Sequence, residues 1–288
     1  MALEGLLLID KPAGPTSHDV IRQLRRLSGI RRIGHAGTLD PLATGLLLVC
    51  VGRATRLLEY LLDKPKSYEA AVRLGQSTDT FDAQGTVVAE RPVDVSSVEI
   101  EAALQPFRGP IVQYAPAYSA VKRDGVPLYK LARQGVEVER PSREVTIYDL
   151  EISSWQEPLV HLDVTCSSGT YIRSLADDLG NALGCGGHIS ALRRTTVSDF
   201  SVDQAAVLAD LDSDNWSAHL LPPDTAVRHL PKVEFSAEVA QKLLLGQRVP
   251  GAGALPAGTP ARAYEENVRF LGIVIAAGQS WQPHKILA

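Results

Sequence analysis

The sequence predicts a protein of mixed α and β structure, with a large N-terminal domain and a small β-rich C-terminal domain. Apolar residues alternate with polar ones in some segments and recur at helical spacing in others, with glycine and proline between these segments. Prolines interrupt the chain at Pro222-Pro223 and at Pro231, ahead of a second set of strand-like segments. A length of 288 residues accommodates one large domain and a small one. We therefore expect domains at 1–229 and 230–288.

Composition and cysteine usage predict a soluble, cytoplasmic protein. Hydrophobic residues make up 45% of the chain and charged residues 22%, as is typical of a globular protein with a substantial core. The three cysteines are too far apart for a disulfide framework or a Cys-x-x-Cys metal site, which favours a reducing compartment. The apolar run near the N-terminus is too short for a signal peptide, and no run approaches the ~18 residues of a membrane span.

An amphipathic helix is expected shortly after the first strand, Gly5–Ile9. The cluster Thr16-Ser17-His18-Asp19 has the pattern of a capping box, with an acid three residues after a hydroxyl. Apolar residues then recur at helical spacing until Gly29, a typical C-terminal stop. The arginines of this segment lie largely off the apolar stripe and would face solvent or a ligand: Arg22, Arg25 and Arg26.

The remaining elements follow from the same patterns of apolar spacing and turn residues. Strands are expected at Leu46–Val51, Tyr68–Leu74, Val160–Cys166, Ala261–Tyr264 and Val268–Ala276, and Val233–Ser236 leads into a short helix. Helices are expected at Ala54–Leu62, at Ser97–Phe107, at Leu128–Arg133 with a stop at Gly135, and at Ala237–Leu245. A hairpin turn is expected at Asp124-Gly125.

The segment Gly34–Gly45 contains the strongest candidate for chemistry. Three glycines and a proline in twelve residues describe backbone that turns tightly and admits a close neighbour. Pro41 biases Asp40 toward an extended conformation, and a buried strand follows at once. A lone carboxylate so placed is a candidate nucleophile or base. On spacing alone, however, an Asp before Pro is more often a turn residue that caps nearby N–H groups, and His35 is more often a structural hydrogen-bonding residue than a catalyst.

A second informative segment runs from Val160 to Asp178. The alternating strand ends at Ser167-Ser168-Gly169, after which Thr170 is expected to cap a helix. Tyr171 and Arg173 would then stand in the first helical turn, where a cation opposes the helix dipole by a few tenths of a kcal/mol. Such a placement indicates an acidic partner or an anionic ligand. Asp40 is one candidate partner, and Asp177, one turn further along, is the other.

Basic residues are concentrated beside the glycine-rich segment although the net charge is −4. Of the 29 basic residues 21 are arginine, which favours bidentate phosphate contact and base stacking. A genome rich in G and C would produce the same preference for arginine over lysine. The arginines nearest the segment are Arg22, Arg25, Arg26, Arg31 and Arg32, and a further pair is Arg193-Arg194.

Several motifs occur together in a characteristic order. They are the N-terminal GLLLIDKP at 5–12, the Gly34–Gly45 segment, LGQSTDT at 74–80 after Tyr68, YSAVK at 118–122, CSSGTYIR at 166–173 and LRR at 192–194. In this combination the chain resembles the bacterial TruB family of tRNA pseudouridine synthases, which act on uridine 55 of the T-loop. The resemblance covers residues 5 to about 200. The part beyond about 231 resembles, more weakly, a small PUA-type RNA-binding domain.

The resemblance implies a role for individual residues of this chain. It implies that Asp40 is the catalytic nucleophile, that Tyr68 packs against the target base, that Arg173 pairs with the catalytic carboxylate, that Tyr171 and Leu192 line the pocket, and that His35 contacts RNA near the extruded nucleotide. Further RNA contacts are expected from basic residues: Lys11, Arg22, Arg25, Arg26, Arg31, Arg32, Arg193 and Arg194. Ser168 departs from the pattern, because many relatives carry a basic residue there.

The resemblance also implies the fold and the chemistry. The fold would be α+β, with a mixed, largely antiparallel sheet in the catalytic domain and a small β-rich PUA-like domain after it. Moving the glycosidic bond of uridine from N1 to C5 is neither an oxidation nor a hydrolysis, so we expect no metal and no cofactor. The chain carries neither a metal-ligand spacing nor a Gly-rich nucleotide fingerprint. Arg173 would keep Asp40 ionised while the carboxylate is shielded from water.

Two questions of function stay open at this point. The expected partner is tRNA and the expected state a monomer, but Asp40 could attack either C1′ or C6 of the uridine. An alternative function is that of an RNA-binding chaperone that folds tRNA and does not require Asp40. Substitution of Asp40 distinguishes the two, because only the enzyme needs that carboxylate.

Overall fold

The computed structural model describes residues 3–119, 121–123, 125–132, 134, 140–251, 253, 255–266 and 268–287. The strands are β1 (Gly5–Lys11), β2 (Ile33–Ala36), β3 (Thr44–Val51), β4 (Lys66–Leu74), β5 (Gln76–Thr78), β6 (Val87–Glu90), β7 (Gly109–Tyr114), β8 (Lys122–Arg123), β9 (Val126–Pro127), β10 (Ser142–Gln156), β11 (Leu159–Cys166), β12 (Gly187–Val197), β13 (Phe200–Ser201), β14 (Ala206–Val207), β15 (Lys232–Phe235), β16 (Val249–Pro250), β17 (Pro260–Glu265), β18 (Arg269–Ala277) and β19 (Ser280–Ile286). The helices are α1 (Ser17–Ser28), α2 (Glu59–Leu62), α3 (Ser97–Leu104), α4 (Leu128–Ala132), α5 (Ile172–Ala182) and α6 (Ala237–Leu244).

A ten-stranded mixed sheet dominates the structure. Its main path is β14-β1-β3-β12-β4-β11-β10-β7, with β2 paired to β3 and β13 paired to β12. The β1–β14 and β3–β12 pairs are parallel, and the other pairs of this sheet are antiparallel. A separate five-stranded sheet, β15-β17-β18-β19-β16, is formed by the C-terminal part of the chain. The expected α+β fold, with a large, mostly antiparallel sheet and a small β-rich unit, is therefore confirmed.

Helix α1 forms where its local sequence signals place it. The Thr16 hydroxyl accepts a hydrogen bond from the Asp19 N–H while the Asp19 carboxylate accepts one from the Thr16 N–H, which completes the capping box. Gly29 ends the helix in the left-handed conformation, with φ of 69°. Apolar side chains of α1, α3 and α5 pack on one face of the large sheet and form the main core. The pocket described below opens on this helix-covered side.

The opposite face of β1 and β3 packs against the C-terminal unit. Leu6 and Leu48 of the large sheet share a buried cluster with Ile273 and Leu287. Polar contacts join the same two parts, since the Arg56 guanidinium donates to the carbonyl of Ile286 at 2.5 Å. Within the described residues, no helix is long and apolar enough to span a bilayer.

Some elements differ from the sequence-based expectation. The helix expected at 54–62 is a 3-10 segment, Gly52–Leu57, followed by the single turn α2. Helix α5 has Tyr171 rather than Thr170 as its N-capping residue, and the Tyr171 side chain makes no capping hydrogen bond. The Thr170 hydroxyl instead donates to the Ser167 carbonyl at 3.0 Å, so it stabilises the preceding turn.

The region around the expected hairpin is described only in part. Strands β8 and β9 pair antiparallel as the hairpin requires, and α4 follows. Asp124, Arg133 and Gly135, which entered the expectation, lie outside the described residues. The sequence pattern did not predict the long strand β10. Its pairing with β11 contains register irregularities, which interrupt the alternation of buried and exposed residues along the strand.

Candidate active site

The loop between β2 and β3 carries Asp40 and is held by side chains from distant parts of the chain. The Ser17 hydroxyl, in the first turn of α1, accepts from the Leu39 N–H at 2.8 Å and donates to the Leu39 carbonyl at 3.1 Å. The Arg194 guanidinium, from β12, donates to the Gly37 carbonyl at 2.9 Å. The backbone that leads into Asp40 is thus fixed, as the chemistry of a positioned carboxylate requires.

Gly45 allows the end of this loop to enter the sheet. It has φ of 97° and pairs in parallel with Arg194 of β12. A Cβ atom at this position would lie 2.2 Å from the Arg194 carbonyl oxygen, so a larger residue could not keep the pairing. The Arg194 guanidinium also donates to the Leu46 carbonyl, just after Gly45, at 2.8 Å. Since it donates to the Gly37 carbonyl as well, Arg194 holds the loop at both its beginning and its end.

Arg173 pairs with Asp40 across the pocket. Its Nε lies 2.9 Å from Asp40 Oδ2. The guanidinium is only 6% exposed and also donates to the carbonyls of Thr80 and Tyr118, each at 3.0 Å. Of the two candidate partners for this cation, the structure selects Asp40. The other, Asp177, instead accepts a hydrogen bond from the Asn181 side chain at 3.1 Å.

Asp82 is a second carboxylate of the site that sequence reasoning missed. Its Oδ2 lies 3.2 Å from Arg173 Nη1, and its side chain is 6% exposed. Its Oδ1 accepts from the Thr80 hydroxyl at 2.7 Å and from the Gln84 N–H at 3.0 Å. Its position directly after the LGQSTDT motif did not single it out, because the left-handed backbone of Phe81, with φ of 64°, is visible only in the folded structure.

The surroundings of Asp40 raise the pKa of its carboxyl. Burial is the largest cause, the nearby charge of Asp82 adds to it, and the Arg173 guanidinium opposes it. Two-fifths of the Asp40 side-chain surface is exposed, because one side faces the open pocket while protein atoms surround the rest. Arg173 therefore favours the ionised form, as expected, but burial outweighs this effect.

Five of the six residues implied by the resemblance line one cavity of about 410 Å³. They are Asp40, Tyr68, Tyr171, Arg173 and Leu192. Tyr68 on β4 and Leu192 on β12 belong to adjacent antiparallel strands, in which Tyr68 pairs with Arg194. Burial raises the pKa of the Tyr68 phenol, which favours its neutral form. The cavity thus combines a carboxylate, a guanidinium and flat or apolar walls.

His35 does not line this cavity. It lies on β2, where it pairs with Val49 of β3, and its Nδ1 is buried without a protein hydrogen-bond partner. Burial lowers the pKa of the imidazole, and the positive charges of Arg194 and His18 lower it further. The His35 imidazole, whose surroundings favour its neutral form, therefore lies beside the loop that carries Asp40 rather than inside the pocket.

Lys11 does not serve as the surface RNA contact that was expected. It is fully buried, and its ammonium donates to the carbonyls of Pro12 at 2.9 Å, Pro15 at 2.8 Å and Pro41 at 3.4 Å. Burial lowers its pKa to about 8. All three donors of a lysine are used within the protein, so this side chain supports the Asp40 loop instead of meeting a phosphate.

Arg194 also differs from the expectation, whereas Arg193 is half-exposed and paired with an acid. Arg194 is 1% exposed and supports the loop, as described above. Arg193 lies on the opposite face of β12, because successive strand residues alternate. It forms a two-bond ion pair with Asp10, at 2.7 and 3.1 Å. Arg194 therefore offers no surface to a polyanion, whereas Arg193, whose side chain is 37% exposed, uses two of its five N–H donors on Asp10 and stays an expected RNA contact.

The five arginines that precede the loop are exposed, as expected: Arg22, Arg25, Arg26, Arg31 and Arg32. Three have partial partners, since Arg22 pairs with Asp19, Arg25 donates to the Ile33 carbonyl and Arg32 donates to the Thr55 hydroxyl. They lie on α1 and the segment that leads into β2. Because Ser17 of the same helix touches Leu39, this basic surface is connected directly to the Asp40 loop.

Arg143 is an exposed cation at the pocket that the resemblance did not single out. Its guanidinium carbon lies 5.5 Å from the centre of the Tyr171 ring, and its Nη1 donates to the Gly169 carbonyl at 3.4 Å. Ser168 also lines the pocket, with its hydroxyl 3.5 Å from Asp63. Across the described ranges, no group of three or more His, Cys, Asp and Glu side chains is arranged to hold a metal ion.

Comparison with known families and proteins identifies the class. Residues 25–172 match the model of the TruB family pseudouridylate synthase N-terminal domain. Residues 173–228 match the tRNA pseudouridylate synthase B C-terminal domain, and 231–279 match the C-terminal model of pseudouridine synthase II TruB. The tRNA pseudouridine synthase B of Chromohalobacter salexigens is 48% identical over 94% of this chain and 90% of its own length. That of Ralstonia pickettii is 44% identical over 99% of this chain and 94% of its own.

Solved structures share the same fold. A Cbf5-Nop10-Gar1 complex contains a chain that is 27% identical, with a TM-score of 0.71 over 96% of this chain and 79% of that one. An H/ACA RNP bound to a substrate RNA containing 2′-deoxyuridine gives a TM-score of 0.76 at 24% identity, over 99% of this chain and 85% of that one. At that identity the second likeness supports the fold alone.

The fold and the matches define a pseudouridine synthase, an isomerase. Within that class, the chain belongs to the TruB family of tRNA pseudouridine synthases. The resemblance noted from the sequence motifs is thereby confirmed.

Proposed function

We propose that this chain converts uridine 55 in the T-loop of tRNA to pseudouridine, with Asp40 as the nucleophile acting on a base flipped out of the stack. The observation that carries the proposal is the Asp40–Arg173 pair at the floor of a cavity walled by two tyrosines and a leucine. Relatives named tRNA pseudouridine synthase B match nearly the whole chain, which supports tRNA as the substrate.

The arrangement can perform the reaction without oxidation or hydrolysis. The Asp40 carboxylate attacks C1′ or C6, which leads to cleavage of the N1–C1′ bond with the electron pair remaining on the base. The base rotates, C5 forms the new bond to C1′, and the bond to Asp40 breaks. The proton on C5 is lost and N1 gains one, so the product is an isomer of the substrate. Arg173 holds the carboxylate at one oxygen and leaves the other available.

The walls of the cavity suit a flipped base. Extracting a base from the stack costs a few kcal/mol, and stacking on aromatic side chains contributes ~1–3 kcal/mol per base in return. Tyr68 and Tyr171 provide such surfaces, and Leu192 provides an apolar one. Because burial keeps the Tyr68 phenol neutral, Tyr68 suits packing and hydrogen-bond donation better than immediate proton removal.

The exposed arginines on α1 and the segment before β2 supply a surface for the phosphates of a folded RNA arm. Proteins recognise such RNA mainly through shape and phosphate contacts. The same surface would serve the alternative function, a tRNA-folding chaperone, which does not need Asp40. We further propose that the protein acts in the cytoplasm, where its three free, buried cysteines would stay reduced.

Mapping pseudouridine in a T-arm RNA after incubation with purified variants tests the proposal. The wild type is expected to modify uridine 55 without an added cofactor, and Asp40→Asn is expected to bind the RNA but give no product. Asp63→Asn is the matched control, because Asp63 also lines the pocket but its carboxylate meets Ser168 rather than Arg173. Product from Asp40→Asn at the wild-type rate would contradict the nucleophile assignment, and an unmodified uridine 55 would contradict the substrate.

A further inference from the structure

Helix α5 begins without the usual local support. Its N-capping residue, Tyr171, offers no side-chain hydrogen bond, and the first turn contains no acidic residue. That turn does contain the buried cation Arg173, which opposes the positive end of the helix dipole. A helix N-terminus of this kind needs partners from elsewhere in the fold, because its first N–H groups are not bonded within the helix.

Gln113 of β7 supplies that support. Its side-chain oxygen accepts from the Tyr171 N–H at 3.0 Å, and its side-chain nitrogen donates to the Tyr171 carbonyl at 3.2 Å. Gln113 is 1% exposed on a strand whose neighbouring residues Val112 and Tyr114 face outward. A third bond joins the same two elements, since the Ser174 hydroxyl donates to the Tyr114 carbonyl at 3.0 Å.

We infer that Gln113 is a positioning residue of the active site, which fixes the backbone from which Tyr171 and Arg173 enter the pocket. Both polar ends of one buried amide bind the two backbone groups of a single residue, so rotation or shift of that residue breaks at least one bond. Tyr171 lines the cavity, and Arg173, two residues on, pairs with Asp40. The inference rests on the proposed roles of these two residues in the reaction.

Glutamine is suited to this position in a way that its close analogues are not. Leucine fills a similar volume but leaves the Tyr171 N–H unpaired, while the Tyr171 carbonyl keeps only its bond from the Leu175 N–H within the helix. Glutamate can accept from the N–H, but its ionised carboxylate cannot donate to the carbonyl. A protonated carboxyl can do both. Glutamate at 113 is therefore expected to restore the clamp only at low pH.

The test compares full-length Gln113→Leu and Gln113→Glu with the wild type, and uses Gln105→Leu as the matched control. Gln105 is an exposed glutamine whose side chain donates to the carboxylate of Glu101, four residues before it in the chain. Single-turnover rates on T-arm RNA are measured with saturating enzyme, and RNA affinity is measured separately. Hydrogen exchange at the amides of 171–175 provides a readout that does not depend on activity.

For Gln113→Leu we expect at least a ten-fold lower single-turnover rate, RNA affinity within about two-fold of wild type, and faster exchange at the Tyr171 amide. For Gln113→Glu, the rate relative to wild type is expected to rise as pH falls, while the ratio for Gln113→Leu stays constant. Unchanged hydrogen exchange at the Tyr171 amide in Gln113→Leu would overturn the inference. So would losses of RNA affinity and stability that match the loss of rate, if the relative rate of Gln113→Glu also fails to rise as pH falls. Failure of the wild type to modify uridine 55 would instead count against the proposed function, because the exchange result still reports on the clamp.

Discussion

Arg173 reaches Asp40 from a helix that begins far along the chain from the Asp40 loop, and its Nε lies 2.9 Å from the carboxylate. The same guanidinium also contacts Asp82 and two backbone carbonyls. All three nitrogens of the guanidinium are engaged, Nε by Asp40, Nη1 by Asp82 and the Thr80 carbonyl, and Nη2 by the Tyr118 carbonyl, so the contacts define its orientation. The cation of the pair is therefore fixed more firmly than the carboxylate, which keeps one side open to the pocket.

Replacement of this guanidinium by an ammonium is expected to disable the site. Lysine cannot reproduce the planar array of donors that serves Asp40, Asp82 and the carbonyls together. We expect Arg173→Lys to lower the single-turnover rate about 100-fold or more, at ~1.4 kcal/mol per factor of ten. Arg193→Lys is the matched control, because Arg193 forms a two-bond ion pair with Asp10 on the other face of the same sheet. Equal losses in both variants would contradict the assignment.

The raised pKa of Asp40 predicts opposite effects of pH on activity and on stability. The nucleophile must be ionised, so the rate should rise with pH through the raised pKa. The folded state binds this proton more tightly than the unfolded chain, so the free energy of unfolding falls as pH rises from about 4 through the raised pKa. Asp40→Asn is therefore expected to unfold at higher urea concentration than wild type at pH 7, with a difference that shrinks toward pH 4. A less stable variant at pH 7 would contradict this.

Lys11 predicts a stability change at alkaline pH. Its pKa is lowered to about 8 in the folded protein, so above that pH the unfolded chain binds a proton that the folded chain has released. The free energy of unfolding should therefore rise between pH 8 and 10. Lys66 has the same lowered pKa and contributes likewise. Lys11→Met should show about half the wild-type rise in urea melts, and a full rise would contradict the burial of the ammonium.

Alanine substitutions at two glycines with similar φ angles distinguish the cost of backbone strain from the cost of steric overlap. Gly14 and Gly45 have φ of 107° and 97°, so alanine is strained at both, at about 1–2 kcal/mol. Only at Gly45 would the added Cβ also meet a backbone oxygen, that of Arg194, at 2.2 Å. Gly45→Ala should therefore lose clearly more unfolding free energy than Gly14→Ala. Equal losses would show that the parallel pairing of β3 and β12 does not require glycine there.

The exposed arginines predict the salt dependence of RNA binding. Each side chain that contacts a phosphate contributes a slope of about 0.7–0.9 in log affinity against log salt. The double variant Arg26→Ala with Arg31→Ala should therefore bind T-arm RNA more weakly and with a shallower slope, by between one and two. Arg228→Ala, which removes an arginine paired with Asp199, is the control and should retain the wild-type slope. An unchanged slope in the double variant would place the RNA on another surface.

Local sequence signals predicted the parts of the structure that depend on near neighbours. The capping box at Thr16 and the stop at Gly29 define α1 within the segment itself. The sequence pattern predicts the start of α5 one residue too early. The hydrogen bond to the N-capping residue comes from Gln113, on a strand that no local pattern links to this helix. Lys11 and Arg194 were assigned to RNA because charge suggests exposure. Their burial depends on backbone carbonyls that only the folded loop brings together.

The sequence predicted the main residues of the site, but it did not predict the residues that hold them in place. An unfavourable cation at a helix start indicated a missing anion, and Asp40 proved to be that anion. Asp82 gave no such signal, since its carboxylate compensates the same cation from a third segment of the chain. A local sequence pattern can thus indicate that a charge needs a partner, but it does not indicate how many residues pair with that charge.

Strand β12 occupies the position between β3 and β4 although it follows them by many residues in the chain. During synthesis, β3 and β4 therefore leave the ribosome before the strand that joins them exists. Until Arg194 has emerged, the Asp40 loop lacks the partner of Gly45 and the donor to Gly37. The nascent chain thus carries two unpaired strand edges and an unassembled site for much of its synthesis. Because exposed strand edges invite aggregation, the nascent chain is expected to be most prone to aggregate before β12 has emerged.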